Sequence, residues 1–244
     1  MTNLDYAQII ANLTVKSRIP PSPKPLDLKE FFVPLKEVPF ALVAAGCFLF
    51  FLGMFLPINY VILYAMKKGM SASLSRYLVS IMNALRSVHL LQVIVHSLRS
   101  NSLGRVITGY LADKVGRFNV ITAMCFFTAI IDLALWIPSS SNAAIIVFAA
   151  LYGFGSGTFV SMIPAIIAQI SPDIRKIGVR TGTVYAVISF AALLGNPIGG
   201  ALIERDHGGF LSLQVFCGVM QIAGAAVILA ARVVLGGTKF NVKV

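Results

Sequence analysis

Long apolar runs alternate with short polar clusters along this chain. Between positions 39 and 66 no charged residue occurs, and Lys67-Lys68 closes the run. The hydrocarbon core of a bilayer takes about 20 helical residues at roughly 1.5 Å each, so the run predicts one membrane span. Pro57 within it predicts a kink, because proline has no N–H and crowds the preceding turn. Residues 118–137, 143–170, 181–203 and 210–235 predict four more spans, the third of them broken near Gly195-Asn196-Pro197. In residues 71–112 the apolar pattern is interrupted by Arg76, Arg86, His89, His96, Arg99 and Arg105. One helix over about 74–95 is expected there. The pattern predicts an all-α integral membrane fold with six transmembrane helices. Residues 1–38 form an N-terminal remnant and a proline-rich linker, residues 39–235 the helical bundle, and residues 236–244 a tail.

Composition supports lipid as the solvent. Hydrophobic residues make up 57% of the chain, charged residues 12%, and mean hydropathy is +0.85. A soluble domain carries about twice that charged fraction. The net charge of +11 would ordinarily suggest a polyanionic partner. Here the Lys and Arg residues fall in clusters between apolar runs, with no basic face or aromatic platform, which excludes nucleic acid. With both termini inside, fifteen Lys and Arg lie on the inner side and four (Lys67, Lys68, Arg76, Arg205) on the outer side. That asymmetry predicts cytoplasmic termini. Cys47, Cys125 and Cys217 each lie inside an apolar run without metal spacing, and His207 stands alone. No catalytic, metal or cofactor constellation appears, so an enzyme is disfavoured. The run Gly153-Phe154-Gly155-Ser156-Gly157 lacks a preceding strand and points to close helix packing rather than nucleotide binding.

The most specific string runs from Gly104 to Arg117, GRVITGYLADKVGR. Gly109 permits close approach of two helices, Gly116 a tight turn, and Asp113 can cap a helix or pair with Arg117. Such an ionic contact at a helix end can serve as a reversible latch. Gly109, Asp113, Lys114, Gly116 and Arg117 resemble the signature loop G-x-x-x-D-[RK]-x-G-[RK] of the major facilitator superfamily. Gly195, Pro197, Gly199 and Gly200 resemble its helix-breaking G-P-x-x-G-G pattern. Residues 55–84, with the GYLADK string, further resemble helices seven and eight of fungal monocarboxylate porters.

The resemblance covers the family's second half only, so the chain is expected to be a fragment lacking six helices. The segment near 86–101 departs from the family pattern and resembles an insert such as a retained intron. What the resemblance implies is a secondary transporter for small organic anions, a proton symporter working by alternating access in the plasma or vacuolar membrane. A first-half bundle or a second copy would complete it, with membrane lipid around both. The alternative is a non-transporting paralogue that binds a full-length transporter.

Polar residues at membrane depth are candidate site residues. Asn59 and Tyr60 follow Pro57 and either line a cavity or join the interfacial belt. Asn83, Tyr152 and Asn196 are further cavity candidates. Asp132 is the one acid within a clean span and a proton candidate, unless it snorkels to the nearby helix end.

Overall fold

The computed structural model describes residues 29–97 and 115–237, and helix is the only regular secondary structure among them. Six long helices dominate: α1 (Val38–Lys67), α2 (Ala72–Ser97), α3 (Arg117–Ile131), α4 (Asn142–Gln169), α5 (Ile177–Arg205) and α6 (Leu211–Gly236). All except α2 belong to segments long and apolar enough to cross a membrane. The 26 residues of α2 would span about 39 Å, but its polar interruptions lower its hydropathy. Its backbone stays helical through 86–97, so the segment suspected of being an insert continues the helix there. Residues 98–101 lie outside the described residues.

Two boundaries show how local chemistry ends and starts these helices. Glu37 and Lys67-Lys68 bracket the chargeless run, and α1 occupies that interval. Gly116 has φ +100°, a conformation that an L side chain rarely adopts, and this turn launches α3. At its far end α3 continues as a turn of π-helix, Asp132–Trp136.

The first and last helices form the largest interface, α1 on α6. Glycines set its closeness: a Cβ added at Gly224 would sit 2.6 Å from Phe50 N and 2.8 Å from Gly46 O. Helix α4 packs on α2 and α3, and its glycine run supplies the contact as expected from the sequence. Gly153 meets the Met82 backbone, and Gly155 meets the Thr128 side chain. The core holds Phe50, Phe118, Phe148, Phe159, Met54 and Trp136, all closed to solvent.

One helix stands apart. In α5 only a minor share of the apolar span is buried, whereas most of α1 is. Phe190 and Leu193 are 62% and 71% exposed, with Leu194 beside them. The bundle therefore has an open apolar face along α5, continuous with α1, on which it packs. The break expected at Gly195-Asn196-Pro197 does not occur, since α5 is helical from Ile177 to Arg205. Pro197 removes one N–H, and the helical bonds on either side carry the turn through.

Candidate functional site

The open face carries a small polar cluster where two proline-bearing helices meet. Asn59, two residues after Pro57 in α1, donates from Nδ2 to Asn196 Oδ1 in α5 at 2.7 Å. The Tyr60 hydroxyl donates to the Asn196 carbonyl at 3.1 Å. Both asparagines are exposed, and Tyr60 is partly so. Gly199 lets the helices approach here, since a Cβ on it would meet Leu56 and Tyr60 at 2.6 and 2.8 Å. The pairing leaves Asn59 Oδ1 as an acceptor and Asn196 Nδ2 as a donor for a ligand. Gly195, next to Asn196, and Gly200, next to Gly199, are in looser contact with Leu52 and Tyr60. Asn83 is exposed on α2 and makes no hydrogen bond to this pair.

Tyr152 does not line that face. It is fully buried, and its hydroxyl donates to the Met54 carbonyl at 2.8 Å. Asp132 does not snorkel either: it is fully closed to solvent, because the π turn directs it into the packing between α3 and α6. Its Oδ2 accepts from Gln221 Nε2 at 2.9 Å. The same nitrogen lies 3.1 Å from the Tyr152 hydroxyl and 3.4 Å from the Gly53 carbonyl. Gly53 sits four residues before Pro57, so its carbonyl is the one the proline deprives of a helical partner. In hydrocarbon such an orphan must find another donor, and Gln221 supplies it.

The end of the bundle carrying Gly116 and Arg117 is rich in arginine. Arg117 Nη1 reaches the Ala165 carbonyl at 3.5 Å. The remaining signature residues, Gly109, Asp113 and Lys114, lie outside the described residues. Arg180 at the start of α5 makes a two-pronged bond to Glu37, at 2.9 and 2.7 Å, and also donates to the Ile170 carbonyl. Its guanidinium lies over the Phe40 ring, 4.6 Å from the centroid. The hydrogen bond from Arg180 holds the Glu37 carboxyl below its ordinary range, against an opposing push from partial burial. Arg232, also buried, donates to Asn119 Oδ1 at 2.7 Å and to the Gly237 carbonyl. At the opposite end Tyr64 donates to the Ser139 carbonyl at 2.5 Å and packs edge-on against Trp136 and Phe210. Lys67 bonds the Gly208 carbonyl there.

Sequence reasoning missed Gln221, and with it Gln214, which donates to the Trp136 carbonyl at 3.1 Å. A signal existed: the two glutamines are seven residues apart in the apolar middle of the helix, which places them on one face. Both are buried.

The chain matches the family model described as Major Facilitator Superfamily over residues 86–239. It is similar to "MFS-type transporter 1" of Ophiocordyceps sp., at 47% identity over 98% of this chain and 50% of that protein. It is 41% identical to the "Fujikurins efflux protein" of Gibberella fujikuroi, over 92% of this chain and 45% of that one. It is 34% identical to the "Aspyridones efflux protein apdF" of Emericella nidulans, over 92% and 42%. The chain spans about half the length of the curated relatives it matches. With its all-helical bundle and its apolar helices, it is a multi-pass integral membrane protein with the architecture of half a facilitator fold, and it belongs to the Major Facilitator Superfamily.

Proposed function

We propose that this bundle is one half of a secondary transporter that exports a small organic solute, with a carboxylate or carbonyl group recognised by Asn59, Tyr60 and Asn196. The observation that carries the reading is the polar cluster itself. It lies between two proline-bearing helices, on the face the bundle leaves open. Polar side chains are costly at membrane depth and mark solute pathways. Two relatives are named efflux proteins, which supports the outward direction. A monocarboxylate is the substrate class in this reading, since the Asn196 Nδ2 amide that the pairing leaves open can donate to a single carboxylate. A proton is the coupling ion in this reading, with buried Asp132 as its seat. The excess of Lys and Arg on one side supports cytoplasmic termini, and plasma or vacuolar membrane fits equally.

Alternating access takes a second bundle rocking against this one. A longer form of the chain, a separate first-half partner or a second copy would supply it. The latch role of Asp113 and Arg117, with Gly109, Lys114 and Gly116 shaping the loop, belongs to the same proposal. The exposed α5 face also suits a non-transporting role, docking on a full-length facilitator.

The test is release of radiolabelled lactate and benzoate from proteoliposomes containing the chain with its second bundle. Losing hydrogen bonds to a charged solute costs about 1.5–3 kcal/mol, so Asn196→Leu should slow saturable release by ten-fold or more. Equal rates for Asn196→Leu and wild type would remove the cluster from the pathway. No release, with co-purification of a full-length facilitator, would favour the docking role.

A further inference from the structure

Gln221 Nε2 carries two hydrogens and faces three acceptors: Asp132 Oδ2, the Tyr152 hydroxyl and the Gly53 carbonyl. The Tyr152 proton is already committed to the Met54 carbonyl. Two acceptors of the cluster, Asp132 Oδ1 and Gln221 Oε1, have no partner among the described residues. The cluster is thus short of donors, and an added proton is the smallest species that supplies one. No cation faces Asp132 among the described residues. From α6 come Gln221 and the Cys217 thiol, from α4 the Tyr152 hydroxyl, and from α1 backbone carbonyls.

We propose that Asp132, Gln221 and Tyr152 form a proton-binding site whose occupancy decides whether Gln221 clamps the opened turn of α1 at Pro57. The chemistry is a change of sign at one oxygen. An ionised Asp132 only accepts, and holds the N–H end of the Gln221 amide toward itself and the Gly53 carbonyl. A protonated Asp132 donates, and the free Oε1 of Gln221 is the acceptor in reach once the amide turns over. That turn withdraws Nε2 from the carbonyl that Pro57 orphaned, and the turn of α1 just ahead of Asn59 loses its clamp. The π turn serves the device, because a wide turn with one extra residue re-aims a side chain and is common at functional positions. The inference rests on Asp132 as the proton's seat and is independent of any substrate.

Trp136 is the chain's sole tryptophan; it ends the π turn that begins at Asp132 and stacks on Phe148, with ring centroids 5.3 Å apart. Its emission is therefore a built-in reporter. The experiment is a pH titration of Trp136 fluorescence in the full chain in lipid nanodiscs, with infrared detection of the carboxylic acid C=O band. One emission step should track the acid band, and Asp132→Asn should abolish both. Gln221→Leu should keep the step but move its midpoint by about one pH unit, the size of one hydrogen bond to a charged group. Amide exchange in residues 54–61 should change across the step in wild type and not in Gln221→Leu. A step surviving in Asp132→Asn, an unmoved midpoint in Gln221→Leu, or emission flat across the accessible pH range would each overturn the proposal. Should Asp132→Asn fail to fold, the acid band of wild type and the Gln221→Leu midpoint still decide it. Failed release with an intact step would refute the transport reading alone.

Discussion

Replacing Glu37 by glutamine strips the buried Arg180 of its carboxylate partner. The Arg180 side chain is 4% exposed and, among the described residues, its Nε has no acceptor and its guanidinium depends on Glu37 and one carbonyl. Breaking a fully buried pair from one side costs about 3–5 kcal/mol. The Glu37 side chain is 46% exposed, however, and water can follow the substitution in, which discounts the cost to about 2 kcal/mol. Arg180→Met leaves a carboxylate that water can reach and costs about 1 kcal/mol, and the double variant should cost about 1.5 kcal/mol. The cycle then gives a coupling of about 1.5 kcal/mol, read by unfolding in mixed micelles with Trp136 emission. A coupling under about 0.5 kcal/mol would refute the idea that the pair fastens the segment before α1 to α5.

The same pair predicts a pH dependence. The Glu37 carboxyl is depressed in the folded state, first by its hydrogen bond from Arg180. Its contribution is therefore fully present above the ordinary glutamate value near 4.5 and is lost as pH falls through the lower folded value. The gap between wild type and Glu37→Gln should be constant at neutral pH and close in acid.

Two further substitutions probe the packing. Gly224→Ala forces a Cβ to 2.6 Å from Phe50 N, costing about 2 kcal/mol even after a gain of up to about 1 in helix propensity. Gly178→Ala, with nothing within 4 Å, should instead stabilise by about 0.5–1 kcal/mol, and equal effects at the two positions would deny the α1–α6 seam. Tyr64→Phe removes the bond to the Ser139 carbonyl and should cost about 1–2 kcal/mol in the same unfolding assay while leaving the Trp136 pH step in place.

Much of the fold was legible because lipid imposes a simple rule. The run between Glu37 and Lys67 had no charge to stop it, and α1 fills it. Helix α2 covers 72–97 against an expectation of 74–95. The break at Pro197 was over-read, since one missing N–H does not end a helix whose neighbouring bonds persist. Asn59, Tyr60 and Asn196 were legible as polar groups beside prolines, but their pairing across 137 positions was not. Arg180 and Arg232 counted only as inner-side charge, yet both are buried in helix ends, where partners on other elements take them in. Tyr152 and Gln221 were misjudged or missed for the same reason: a hydropathy pattern records that a side chain is polar, and only tertiary contact shows what satisfies it.

The seam between the first and last helices also bears on how the chain is made. Gly53 and Gln221 are separated by 168 positions, and the partner face of α6 emerges only after all the intervening helices have been made. At roughly 5–20 residues per second, α1 waits about ten to thirty seconds in the bilayer with its glycine face and the orphaned Gly53 carbonyl uncovered. Lipid cannot hydrogen-bond that carbonyl. During this interval α1 is a ready client for whatever assists insertion, and a ribosome stalled before residue 211 would leave the bundle with its widest interface unmade.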